Sequence, residues 1–227
     1  VRPTALLGRR SCLPSCCACK CSKLELRFHR ECGRILRYKK LFILVACIGI
    51  IIAVGISAFR HLGAWLVVTA PLPPSLDVLF TFSGEDSRVV YTKEILPKYP
   101  KALWFLSYQT KGIRNSLVKQ GFDSSLIEVV DTCANTRSEV GYLKNRLASL
   151  TSAPTPKRRI DVGIVSNWYQ MRRIQVIINR KFPHRAYAFH YLTAQTEDPV
   201  VYRQWWKQKN IFKLVFSEWG KILLYLL

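Results

Sequence analysis

Acidic side chains are scarce in this sequence: 14 Asp and Glu face 35 Lys and Arg across 227 residues, a net charge of +21. That imbalance disfavours cationic partners and points to phosphate groups, acidic glycans or a membrane surface. Cysteine is almost missing beyond residue 59, where only Cys133 remains, so no disulfide framework braces that part. The glycines form neither a G-x-G-x-x-G fingerprint nor a P-loop, which removes the two commonest nucleotide signatures. No nucleic-acid motif accompanies the positive charge, and nucleic acid is not expected as a partner. Asn-x-Ser/Thr acceptor sites and internal repeats are absent too. Methionine occurs once, at 171, and the chain begins with Val, so residues 1–40 are given little functional weight.

Against these absences stands one long apolar run. Residues 41–59, LFILVACIGIIIAVGISAF, contain no charge, amide or proline. As a helix they reach about 28 Å at 1.5 Å per residue, close to the roughly 30 Å hydrocarbon core of a bilayer. A buried core helix would keep a polar face, which this run lacks. A cleaved signal peptide fits Gly55 and Ser57, but some forty residues precede the run, and the reading adopted is an uncleaved span. Arg34, Arg37, Lys39 and Lys40 crowd one flank, whereas only Arg60 precedes Arg88 on the other. The positive-inside rule then leaves the N-terminal tail cytoplasmic and the rest outside.

The tail, residues 1–40, holds eleven basic and two acidic side chains, a net +9, and residues 60–227 hold 24 and 12, a net +12. A basic tail beside a span suits topology and anionic headgroups. Six cysteines, Cys12, Cys16, Cys17, Cys19, Cys21 and Cys32, crowd the tail, yet their spacing matches neither a paired C-x2-C zinc site nor a ferredoxin run. Residues 60–76 read as a juxtamembrane segment, with Trp65 as an interfacial anchor, followed by a stiff linker at Pro71, Pro73 and Pro74.

Beyond the linker, residues 77–227 form one domain of alternating elements. Strands are expected at 77–82, 102–107, 126–130, 160–165 and near 185–190; helices at 88–99, within 113–120, at 136–150 and 171–180, and a long one from about 201. The third helix is the clearest, with Val140, Leu143, Leu147 and Leu150 on one stripe. Five strands alternating with helices predict an α/β parallel sheet with helices on both faces.

Ligands of such sheets bind at the C-terminal strand ends, so three loops carry the candidate chemistry. Ser83-Gly84-Glu85-Asp86-Ser87-Arg88 offers a permissive glycine, two carboxylates and an arginine, or equally a turn with a helix cap. In the second loop Thr136 and Glu139 have capping-box spacing, which leaves Asp131 and Asn135 to face a ligand. In the third, Ser166-Asn167 ends a strand and Arg172-Arg173 follows near the helix start, a pattern that suits an anion, or else a solvated basic helix start. His184 and His190 share a strand face and read as structural; Cys133 has no visible base and reads as packing.

A span, a proline-bearing linker, Asp77-Val-Leu-Phe, Gly84 and Arg88, Asn135-Thr136-Arg137-Ser138-Glu139 and Val165-Ser-Asn-Trp-Tyr-Gln-Met-Arg-Arg173 together resemble the YdcF/SanA/ElyC-type family, over about residues 77–227. The resemblance implies a Rossmann-like domain tethered to the bacterial inner membrane, facing outward, with links to cell-envelope integrity and to peptidoglycan or lipid-carrier metabolism. Carried over by position, its pocket would comprise Gly84, Arg88, Asn135, Thr136, Glu139, Ser166 and Arg173. The chain departs from the family where one glycine stands for two or three after the first strand, where Ser107-Tyr108-Gln109 replaces Ser-Gly-Gly, where a glutamate is missing from residues 111–120 and where Gln170 replaces His. Loss of titratable groups argues for weak or no catalysis.

The expected function is therefore binding of a phosphate-bearing ligand, free or lipid-linked, by a membrane-anchored domain. Ser166, Asn167, Arg88, Arg172 and Arg173 would hold the anion, Asn135 and Glu139 would shape the pocket, and Glu85, Asp86 or Glu139 would move protons if phosphate hydrolysis or transfer occurs. No cofactor is assigned, and protein partners are unknown. The alternative is a non-catalytic envelope assembly or regulatory protein with a degenerate pocket. Its working surface would be residues 201–227, where Trp205, Trp206, Phe212, Phe216 and Trp219 stand among lysines.

Overall fold

The computed structural model describes residues 18–108, 112–151, 159–182, 186–194 and 199–226; side chains are described from Tyr38 onward. The side chains of the six tail cysteines, most of the loop at 151–159 and His184 lie outside the described residues. The chain divides into two compact units, Val1–Ile56 and Ser57–Leu227.

The first unit is described as one helix. Helix α1, Ala18–Leu66, continues past the unit's end, and its stretch Tyr38–Leu66 is long and apolar enough to cross a membrane. Leu41, Phe42, Ile43, Ile50 and Ile51 are exposed along it. Aliphatic side chains on every face satisfy a hydrocarbon solvent and no aqueous one.

The second unit is a Rossmann-like α/β domain. Strands β1 (Val78–Thr81), β2 (Leu103–Ser107), β3 (Ile127–Val130), β4 (Ile160–Ser166) and β5 (Tyr187–Thr193) form one parallel sheet in the order β3-β2-β1-β4-β5. Register runs Phe80 to Phe105 on one side of β1 and Phe80 to Ile164 on the other. Helices α2 (Ser87–Ile95), α3 (Ile113–Lys119), α4 (Thr136–Thr151) and α5 (Trp168–Lys181) connect the strands.

Side chains of β1 alternate between the two faces, as pleated backbone requires. Val78 and Phe80 pack with Val140, Leu143 and Leu147 of α4 and Met171, Ile174 and Ile178 of α5. Leu79 faces Ile95 of α2, while Trp104 and Leu106 of β2 face Val89 of α2 and Leu117 of α3. Each face is thereby covered by two helices, and the strands are apolar on both sides.

Residues 60–76 fall within the second unit. The end of α1 to Leu66 belongs to the second unit, and Leu66 is buried with Trp168, Trp205 and Ile222. Beyond it, Ala70 N–H donates to the Tyr191 carbonyl at 2.8 Å and Pro73 O accepts from Tyr99 Oη at 2.7 Å. The cause is the apolar content of 61–70: attached to a folded domain, such residues bury against it rather than stand as a spacer. Trp65, expected as an interfacial anchor, is 41% exposed and stacks on Trp219 at 4.5 Å.

The long C-terminal helix is broken as well. Helix α6 (Pro199–Arg203) gives way to a 3-10 turn at Trp205–Lys207, and α7 (Lys209–Leu226) follows. The break lets Trp205, fully buried, lie against Phe59, Phe212 and Phe216.

Candidate functional site

The strand order reverses direction between β1 and β4, and their C-terminal ends make the crevice where ligands of open α/β sheets bind. Phe82 N–H donates to the Val165 carbonyl at 3.1 Å, so the β1–α2 loop leaves the sheet directly beside Ser166 and Asn167.

Arg88 forms the floor. The side chain is buried; Nε donates to Asn167 Oδ1 at 3.0 Å, and Nη1 donates to the carbonyls of Phe82, at 3.4 Å, and Ser83. Burial pulls this guanidinium below its ordinary pKa, while Tyr169, Glu85 and Glu139 act in the opposite sense. Its depth is fixed from behind by Thr92, whose hydroxyl donates to the Arg88 carbonyl at 2.7 Å and lies 2.8 Å from Thr81 Oγ1. Gly84 closes over the guanidinium at φ 133°, and a Cβ there would lie 2.9 to 3.0 Å from three guanidinium atoms. Only glycine accepts both that backbone and that approach.

Glu139 and Glu85 bring carboxylates to the same loop. Glu139, buried on α4, accepts from the Ser83 N–H at 2.7 Å. Glu85, exposed, accepts from Tyr169 Oη at 2.5 Å. Burial, then the bond to Glu85, pushes the Tyr169 hydroxyl up from its ordinary pKa. Asp86 accepts from Tyr108 Oη at the exposed rim.

Both helices that start at the crevice lack a side-chain cap. Asn167 is the N-cap of α5 and Asp86 of α2, yet neither side chain caps the backbone of its helix: Asn167 Oδ1 accepts from Arg88 and its Nδ2 donates to Tyr169 Oη at 3.4 Å, while Asp86 accepts from Tyr108. The first N–H groups of α5 are left without the usual side-chain acceptor, a feature of anion sites. Among the described residues, four buried side-chain polar atoms lack a hydrogen-bond partner, and three of them, Ser87 Oγ, Arg88 Nη2 and Ser166 Oγ, belong to this crevice.

The structure therefore brings together Gly84, Glu85, Arg88, Glu139, Ser166 and Asn167. Thr136 and Arg173 sit one step away: Arg173 Nη1 donates to Thr136 Oγ1 at 2.5 Å, and Nε donates to Glu218 Oε2 at 2.7 Å. This buried ion pair locks the start of α4, the helix that carries Glu139. Arg172 is not brought to the crevice. Its Nε donates to the Trp65 carbonyl at 2.8 Å and its guanidinium covers the Trp65 ring at 4.3 Å, so it caps the end of α1. Sequence pattern placed both arginines in the first turn of a helix from 171, but α5 starts at Trp168, which turns them away from its N-terminus.

The capping box sits one residue earlier than the spacing of Thr136 and Glu139 implied. Asn135 Oδ1 accepts from the Ser138 N–H at 3.0 Å, and Ser138 Oγ accepts from the Asn135 N–H at 3.1 Å. Asn135 is thus a helix cap, and the displaced Thr136 and Glu139 are free for Arg173 and Ser83. Asp131 is exposed at the end of β3, and Cys133 is buried, with its thiol pushed up by burial and by Glu139. His190 Nε2 lies 3.1 Å from Asp161 Oδ1, near the opposite end of β4. Sequence reasoning passed over Ser87 and Tyr169. Both stand inside loops it singled out, Ser87 at the first position of α2 and Tyr169 at the second of α5.

Among the described residues no group of three His, Cys, Asp or Glu side chains is placed to hold a metal ion. An apolar cavity of about 260 Å³, lined by Leu96, Tyr99, Trp104, Phe122 and Ile127, opens at the N-terminal ends of β2 and β3, away from this chemistry. Compared with protein-family models, curated proteins and solved structures, the chain gives no match.

Proposed function

We propose that the second unit binds a phosphate-bearing ligand at the β1/β4 crevice while α1 tethers it to a membrane, in the manner of the YdcF-type domains it resembles. The observation that carries this reading is that three of the four buried side-chain polar atoms without a partner among the described residues, Ser87 Oγ, Arg88 Nη2 and Ser166 Oγ, belong to the start of α2 and the end of β4, the two segments at the topological switch point. The uncapped start of α5 adds backbone N–H groups. Glu85 and Glu139 balance the guanidinium, so the ligand would be held by hydrogen bonds as much as by net charge.

In this reading the tail is cytoplasmic and the domain faces outward from a bacterial inner membrane, where lipid-linked envelope precursors supply the anion. The role would be in peptidoglycan or lipid-carrier metabolism. A second, non-catalytic role in envelope assembly or regulation is favoured by the engaged carboxylates: Glu139 is held by Ser83, Glu85 by Tyr169 and Asp86 by Tyr108. The test is calorimetric titration of the full chain in detergent with inorganic phosphate and with a nucleoside diphosphate. Binding by the wild type, weakened in Ser166→Ala, is expected. Absence of binding by the wild type overturns the reading, and binding without turnover of a phosphate ester favours the second role.

A further inference from the structure

Phe59 is the last residue of the apolar run and lies in the second unit. Its ring is 4.8 Å from Trp205 and 6.4 Å from Trp206, and Trp205 in turn stacks on Phe212 at 5.5 Å. Phe212 and Phe216, 4.7 Å apart, are 38% and 47% exposed, and Phe59 is 36% exposed. An aromatic surface is thus continuous with the residue at which the span ends, and no spacer separates the two.

Cations surround this surface. The Arg60 guanidinium covers the Trp206 ring at 5.8 Å, and Lys207, Lys209 and Lys213 are exposed on the same segment. No acidic residue falls between Asp198 and Glu218. Aromatic rings that are half out of water, ringed by fixed positive charge, match the headgroup layer of an anionic bilayer.

We propose that Phe59, Trp206, Phe212 and Phe216, with Arg60 and the neighbouring lysines, form a second membrane contact that seats the domain on anionic headgroups. This rests on the reading of residues 41–59 as a span, because chain continuity is what brings Phe59 to the interface. The bilayer is the occupant favoured over a protein, since any surface within a residue or two of the span's exit meets lipid first. The contact would add the domain's own face to the hold that the span gives.

The test uses the full chain reconstituted in vesicles of phosphatidylcholine and phosphatidylglycerol, with and without brominated acyl chains. Brominated lipid is expected to quench part of the tryptophan emission, and Trp206→Phe should remove about half of that quenched part. Replacing phosphatidylglycerol by phosphatidylcholine, or reversing charge at Lys207, Lys209 and Lys213, should reduce it further. Quenching unchanged in Trp206→Phe overturns the proposal. So does shielding of Trp206 from aqueous iodide without quenching by brominated lipid, which would mean that protein covers the patch. Retention after alkaline carbonate with either result leaves the span standing, whereas release by carbonate removes the span and the proposal together.

Discussion

Arg88 and Asn167, 79 residues apart in the chain, share one hydrogen bond of 3.0 Å that joins the loop after β1 to the start of α5. That bond gives the oxygen of the N-cap side chain to a buried guanidinium instead of to the backbone of its own helix. The segments that follow β1 and β4 are coupled by it, and the start of α5 is left without a side-chain cap. Asn167→Ala should cost about 2 kcal/mol, the worth of a buried bond to a charged group. Urea unfolding measures it, and an unchanged midpoint would show that the bond is incidental.

Gly84→Ala is expected to be more damaging than its size suggests. At φ 133° the new Cβ would meet the Arg88 guanidinium at 2.9 to 3.0 Å. A loss of about 1 to 3 kcal/mol is expected from backbone strain alone, together with loss of phosphate binding. Stability and binding equal to wild type would sink the account of this loop.

The ion pair of Arg173 and Glu218 is buried on both sides, at 8% and 1% side-chain exposure, and Glu218 also accepts from Lys221 Nζ at 2.7 Å, so it is loss of Glu218 that leaves a buried guanidinium without its carboxylate. Glu218→Gln should destabilise by about 3 to 5 kcal/mol, and Arg173→Met with Glu218→Leu should recover much of that. A double variant no more stable than the single one would contradict this. Asn135→Ala, which removes the cap, should cost only about 1 kcal/mol.

Gly63 lets α1 dock. A Cβ at that position would lie 2.5 Å from Trp205 Cδ1 and from the Tyr202 carbonyl oxygen. Gly63→Val should loosen the end of α1 and expose the 60–70 stretch to protease, at a cost of about 1 to 3 kcal/mol. A wild-type cleavage pattern would count against tight docking.

Alkali should destabilise the domain. Burial raises the pKa of Tyr91, Tyr99, Tyr142, Tyr169 and Tyr191. Above about pH 10, where an unfolded tyrosine ionises, the folded chain keeps protons that the unfolded chain loses, so stability falls as pH rises. Lys181, Arg88 and Arg172, pulled down by burial, tilt the other way, the two arginines only in stronger alkali, while Cys133, pushed up by burial, tilts with the tyrosines. Tyr169→Phe should flatten the decline measured by urea unfolding between neutral pH and alkali; an unaltered slope would mean that Tyr169 contributes nothing to it.

Much of the fold was legible because its causes are local. The apolar runs at β1, β2 and β4 and the stripe of α4 state period and burial directly, and alternation of strand with helix dictates parallel pairing. The strand C-termini, and hence the loops with Gly84, Arg88, Glu139, Ser166 and Asn167, followed from that order. The fates of Arg172, Arg173 and Thr136 were not legible. Each depends on a partner far away in the chain: Trp65 for Arg172, Glu218 for Arg173, and Arg173 for Thr136. Motif spacing carries no information about such partners, and a one-residue shift of a cap or a helix start reverses what a side chain faces.

The sequence by itself determined a long apolar helix, a basic chain and an α/β sheet, since hydropathy, charge and period are properties of neighbours along the chain. Only tertiary structure decided that residues 60–76 belong to the domain, that Asn167 accepts from Arg88 instead of capping the backbone of its helix, and that Trp205 is core while Phe212 and Phe216 stay half exposed. These outcomes are settled by which surfaces compete for burial once the sheet has formed, and that competition involves residues as far apart in the chain as Arg88 and Asn167, 79 positions, or Arg60 and Trp205, 145 positions.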